Sequence, residues 1–411
     1  MIPDIPIKVP VIGSTALTGI LFQVHIVIVA FIMGAAILAP TAEWLSFRPG
    51  GERWGQLAHD LSSTIVRLFA FGATWVVFAL VAIYGLYPRL FGVLTGIFFW
   101  PLVVVLGIWF VMTVSAYLYY ETWDRLGPRR KLHMAIGWTF AISTFSFISL
   151  IIFLSSYQLT PTAELTLRSA ALNPSWPTEF VHRHVGNLSY AALLLAAFAS
   201  TMILFPRRRG REIDVAHYDW LSDAALLLGL SLALLQPFAG WFYAHQVQVG
   251  SPGAFERMMA GENAWLFLVQ GFFLGAVLFL GNLYLALSIR RGNSSPQAAT
   301  RMWTFVWIIG ALVLLLLVPK EVPLGQMRPW KYMALGGLVL FSFVNLVLYF
   351  RERRTFTWGS GGRGLRWALA ITGLSIVFLM ITMGVIRESA RGSYLIYGYM
   401  KQEQSQQLER P

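Results

Sequence analysis

Ten predominantly apolar runs follow one another along the chain. Each is close to the ~20 residues that a helix needs to cross a hydrocarbon core about 30 Å thick. They cover residues 16–39, 64–86, 93–120, 134–157, 180–205, 220–245, 264–289, 302–318, 332–350 and 367–386. In lipid every backbone N–H and C=O must find its partner inside the protein, so spans of this length are helices. No sequence period of repeat-protein length is present. The expected fold is therefore all-α: a polytopic membrane bundle over residues 1–386, followed by a C-terminal tail over 387–411.

Composition narrows the function classes. Hydrophobic residues make up 57% and charged residues 12%, which excludes a soluble enzyme. A net charge of +12 invites a nucleic-acid partner, but the basic residues fall in short clusters between apolar runs, the pattern of membrane loops. No nucleic acid is expected, and membrane lipid is. There is no cysteine, which excludes thiolate-held iron–sulfur clusters and covalent haem attachment within this chain. The first apolar run lacks a charged lead-in and a small-residue cleavage site, so no removable signal peptide is expected.

Orientation follows from lysine and arginine. Residues 124–131 (DRLGPRRK), 206–211 (PRRRGR), 290–301 and 351–366, with Arg48, Arg53 and Arg67, hold most of the 31 basic residues and form every second connection. Those loops are assigned to the cytoplasmic side, which puts both termini outside. His59, His133 and His217 then lie near inner loops, whereas His25, His182, His184 and His245 collect toward the outer face.

Residues 173–190, NPSWPTEFVHRHVGNLSY, carry the most specific signal: a Pro-rich loop running into a long apolar helix with His182 and His184 near its start. Ionisable groups inside a membrane are costly and mark functional sites, and a buried imidazole suits haem iron. His25, flanked by LFQV and IVIV, has the same character. Two residues apart on a helix, His182 and His184 face about 200° from one another and cannot bind one iron. One of them is second to the site or interfacial. His245 stands between ligand and interfacial residue, and Met258 and Met259 between ligand and loop packing.

These residues also resemble those of subunit I of the cytochrome bd quinol oxidases. The likeness rests on five stretches: the His25 helix ending at Glu43 and Trp44; WGQL at 54–57 with FAFGAT at 69–74; WDRLG at 123–127; Asn173–Pro174 followed by FVH at 180–182; and GWFYAHQVQVGSPGAFERMMAGE at 240–262. The resemblance implies a helical bundle with haems near the outer face that oxidises quinol and reduces dioxygen. It makes His182 the ligand of a low-spin b haem and His25 the axial ligand of the oxygen-reactive pair. Glu388 and Arg391 match the Glu-x-x-Arg signature of the high-spin haem, with Glu321 and Arg328 as competitors for that role. Arg183 and Arg391 would neutralise haem propionates. Gly240, Gln248, Pro252 and Glu256 fall in the implied quinol loop.

Several positions depart from the family pattern. The stretch 101–115 has no acidic residue, and Val104 and Met112 stand about where two glutamates are expected. Phe267 is near the place of a methionine that should face His182; His245, Met258 and Met259 are the substitutes. Ala254 replaces the expected loop lysine. The expected function is a b-haem electron-transfer subunit of a respiratory complex in the bacterial inner membrane. It would hold two or more non-covalent haems b, with haem d as an alternative. Its partners would be quinol or quinone, a second membrane subunit, and a periplasmic cytochrome c or other outer-side redox protein. The rival readings are a terminal quinol oxidase and a haem-free membrane anchor or transporter.

Overall fold

The computed structural model describes residues 7, 9–162, 164, 166–206, 214–259, 264–292, 294–318 and 330–390. Among these, all extended regular structure is helical. The helices are α1 (Ser14–Ser46), α2 (Glu52–Leu86), α3 (Pro88–Ile97), α4 (Phe99–Glu121), α5 (Arg130–Leu159), α6 (Leu167–Ala171), α7 (Ser175–Leu204), α8 (Val215–Ala233), α9 (Gln236–Gly250), α10 (Pro252–Met259), α11 (Trp265–Ser288), α12 (Pro296–Leu316), α13 (Trp330–Glu352) and α14 (Arg363–Ala390). Ten helical spans are long and apolar enough to cross a membrane, one for each predicted run. Helix α14 continues to Ala390, past the predicted end of the last span at residue 386.

Two of the ten runs are not single helices, and proline explains both breaks. Pro101 has no N–H to give the carbonyl of Ile97, and α3 ends at Ile97. Pro237 cannot bond the carbonyl of Ala233, and α8 ends at Ala233. The second break begins a new helix, α9, within the predicted quinol loop.

The chain divides into two compact units. The first comprises Met1–Asn187, Ala239–Gly261 and Gly384–Pro411. In it α1 packs on α2 and α5, while α4 packs on α2 and α5, closing a ring of four helices. Ala35, Ala36 and Ala39 are fully buried on α1, small side chains that let neighbouring backbones approach. The second unit, Leu188–Phe238 and Glu262–Met383, sets α11, α12 and α13 against one another and α8 against α11 and α13. Its interior holds a polar triad in which Asn282 donates to Ser342 at 2.9 Å and Asn345 donates to Asn282 at 2.9 Å. Such bonds hold membrane helices together where the hydrophobic effect cannot. The outward faces are apolar, as lipid requires: on α4, Trp100, Leu106 and Phe110 are all more than half exposed.

At one end of the first unit, His133 of α5 is buried between Glu43 of α1 (2.7 Å) and the Tyr119 carbonyl of α4 (2.8 Å). A carbonyl only accepts, so Nε2 carries a proton and Nδ1 shares one with the carboxylate. The Tyr119 ring stacks on His133, and a Cβ added at Gly137 would lie 2.6 Å from that ring. Gly137→Ala is therefore expected to lower stability by about 1–3 kcal/mol through overpacking. Denaturation of the purified protein in detergent checks it.

Candidate functional site

The start of α7 is built by its loop. Asn173 Oδ1 accepts from the Ser175 backbone N–H at 2.9 Å, an Asx turn that starts the helix. The Asn173 amide donates to the Thr160 carbonyl at 2.9 Å, tying the new helix to the end of α5. Asn173, Ser175 and Thr160 are all buried. This fixes the direction in which the residues of the following turns project.

His182 faces α9. Its ring lies near-parallel to that of Tyr243, with centroids 5.8 Å apart. One turn earlier on α9, Gly240 lies close to the imidazole: a Cβ there would sit 3.4 Å from His182 Cε1, in van der Waals contact. Beneath both lies Glu179, fully buried. Its carboxylate accepts from Arg183 and Arg387 at 2.8 Å each, from Tyr243 Oη at 3.2 Å and from Ser155 Oγ at 3.3 Å. Arg387 also donates to the Ser155 carbonyl at 2.8 Å. One carboxylate thus joins α5, α7, α9 and α14 beside His182. Two guanidiniums against one carboxylate leave one positive charge over.

His184 turns to α5, as its angular offset from His182 predicts. It stacks on Phe145 at 4.2 Å and meets Ser149 Oγ at 3.2 Å. That is a packing role, with its polar atom satisfied. His245 is exposed and stacks on Trp241, and Gln248, Pro252 and Glu256 are exposed too. Ala254 is fully buried in an apolar cluster with Leu159, Val247 and Ala390, against which Met258 and Tyr243 pack. The position of the expected lysine is therefore sealed by hydrocarbon.

On α1, His25 is half-buried. The Gly72 backbone of α2 lies within interaction range, yet Nδ1 is buried with no hydrogen-bond partner. Trp75 donates to the Leu21 carbonyl at 2.8 Å, clasping α2 to α1 one turn before His25. Gln23 packs tightly on Gly384 of α14, four residues before the half-buried Glu388. Arg391, Glu321 and Arg328 lie outside the described residues.

Sequence reasoning missed three members of the His182 surroundings: Glu179, Tyr243 and Arg387. Glu179 was detectable, because Glu followed four residues later by Arg is a helix ion pair and a carboxylate at a span end needs one. It also missed a buried network in the second unit. Asp219 and Asp223, one turn apart on α8, are both fully buried. Asp219 pairs with Arg291 (3.4 Å) and Arg366 (3.5 Å), and Asp223 with Arg353, Tyr349 and Tyr284.

The residues present fit a porphyrin. A buried imidazole nitrogen without a partner at His25 suits an axial ligand. Beside His182, the surplus guanidinium charge of Arg183 and Arg387 suits an anionic group. Among the described residues, no three His, Asp or Glu side chains converge as a site for a bare metal ion.

Ten apolar helical spans define an all-α, multi-pass membrane protein. A model of the cytochrome bd terminal oxidase subunit I family matches residues 14–409, and the chain belongs to that family. It is a multi-pass protein of the bacterial inner membrane and a membrane subunit of the quinol-oxidase type. No curated protein sequence matches it significantly. Among solved structures, the bd oxidase from Geobacillus thermodenitrificans superposes with a TM-score of 0.54, covering 93% of this chain and 98% of that one. The two share 14% identity, so that likeness is one of fold.

Proposed function

We propose that this chain is a b-haem electron-transfer subunit that takes electrons from quinol and passes them toward an acceptor on the outer side of the membrane. The arrangement around His182 carries the reading: a ring seated between Gly240 and Tyr243, above a carboxylate clamped by two arginines. His182 and His25 would hold haem, with Glu388 as a further ligand. His184 and the exposed His245 would stay outside the coordination shell. Haem iron supplies reversible one-electron transfer. The protein's part is to fix the imidazoles, balance charge and exclude water. Arg183 and Arg387 both pair with Glu179 and leave positive charge for a propionate, the role expected of Arg183 and Arg391 from the sequence. Quinol would dock at the loop that carries Gly240, Gln248, Pro252 and Glu256. A second membrane subunit would cover apolar surface such as that of α4, and a periplasmic cytochrome c or similar protein would receive the electrons.

The second reading, a terminal quinol oxidase, is favoured by the family itself and by the partnerless nitrogen of His25. Against it, residues 101–115 offer no carboxylate, and Val104 points outward, 53% exposed, while Met112 is buried. Protons for oxygen reduction would need another polar route. Quinol is expected to reduce a b-type band in the purified complex while oxygen uptake stays below about 1 per second, under the usual enzyme range. Cyanide-insensitive uptake above that rate would overturn the preference in favour of the oxidase.

A further inference from the structure

Tyr243 belongs to the loop helix α9, yet it makes two contacts on α7. Its ring covers one face of the His182 imidazole, and its phenol donates to Glu179, the residue three positions before His182. Glu179 cannot swing, because Arg183, Arg387 and Ser155 hold the same carboxylate from three other directions. The phenol is therefore anchored to a carboxylate held by three other side chains, and the anchor sets where the ring lies. Gly240, one turn back on the same face of α9, completes the seat without pressing on the imidazole. On its other side Tyr243 packs on the apolar cluster of Leu159, Val247, Ala254 and Ala390, all four of them buried.

We infer that Tyr243 is a positioning residue for His182, holding the imidazole's orientation and its dryness through the Tyr243–Glu179 hydrogen bond and so setting the reduction potential of the haem there. The inference rests on the proposed haem ligation by His182. The Tyr243 phenol and the clamped Glu179 carboxylate together form a fixed prop beside the imidazole. Its effect on the redox group is dielectric. Oxidised haem iron carries one more positive charge than reduced iron, and a dry surround disfavours that charge. Opening the site to water therefore stabilises the oxidised form and lowers the potential.

The test is a spectroscopic redox titration of the complete purified complex in three forms: wild type, Tyr243→Phe and Tyr243→Leu. Phenylalanine keeps the ring and removes the anchor; leucine removes both. Tyr243→Leu is expected to keep the b-type band but shift its one-electron equilibrium toward the oxidised form about tenfold, which is about 59 mV. Tyr243→Phe is expected to shift it about threefold in the same direction. A titration within about twofold of wild type in both variants overturns the inference. Should Tyr243→Leu fail to assemble, Tyr243→Phe decides alone by the same threshold. A wild-type protein with no b-type band overturns the haem reading and this inference together. A normal wild-type band with unshifted variants overturns this inference only.

Discussion

A His182→Ala protein is expected to insert and assemble but to lose the low-spin b-type band completely. Loss of an axial imidazole removes a covalent bond to iron, which neighbouring packing cannot replace. No second imidazole can take its place from the same helix, since His184 turns to α5 and is held by Phe145 and Ser149. His245 is exposed on α9. The clamp should survive, because Glu179, Arg183, Arg387 and Tyr243 bond one another and need no imidazole. The controls separate ligation from packing. His184→Ala should leave the spectrum intact and cost about 1–3 kcal/mol for its buried ring contacts, whereas His245→Ala should change stability by no more than about 0.5 kcal/mol. Reduced-minus-oxidised spectra with haem stoichiometry check all three. An unchanged band in His182→Ala would show that the ligand lies elsewhere.

The membrane spans were readable because apolar length is a local property, and each of the ten runs became a helical span. The breaks before Pro101 and Pro237 were readable by the same local rule, although length alone passed over them. His182 stood out as a candidate because an imidazole in an apolar helix is conspicuous. Its surroundings could not, since Tyr243 and Arg387 arrive from segments more than sixty and two hundred residues away. Arg387 also stands directly before Glu388, in a signature that drew attention to Glu388 and Arg391 instead. Charge in the loops was legible only in part. Arg291 and Arg366 count toward membrane orientation as basic residues, yet their side chains are only 2% and 6% exposed and meet Asp219. Positive-inside counting asks where a cation sits along the membrane normal. It does not ask whether the cation faces water or another helix.

That burial decides which of the two α8 carboxylates matters more. Asp219→Ala is expected to destabilise the protein by about 3–5 kcal/mol, the cost of leaving buried charges unpaired. It strands Arg291 and Arg366, neither of which can reach solvent without moving its helix end, and it removes the acceptor of the Gly359 N–H at 2.7 Å. Asp223→Ala strands Arg353 instead, whose side chain is 27% exposed and can turn toward water, so about 1–3 kcal/mol is expected. The same reasoning predicts a rescue. A buried ion pair is often no more stable than a well-packed apolar pair of the same volume, so adding Arg291→Met to Asp219→Leu should recover a large part of the loss. Arg366 would remain, bonded to the Gly361 carbonyl at 2.9 Å, and caps the recovery. Denaturant titration of the four proteins in detergent measures each step. Equal losses for Asp219→Ala and Asp223→Ala would mean that solvent reaches Arg291 and Arg366 as readily as Arg353, and that the network is a surface cluster rather than a lock between helices.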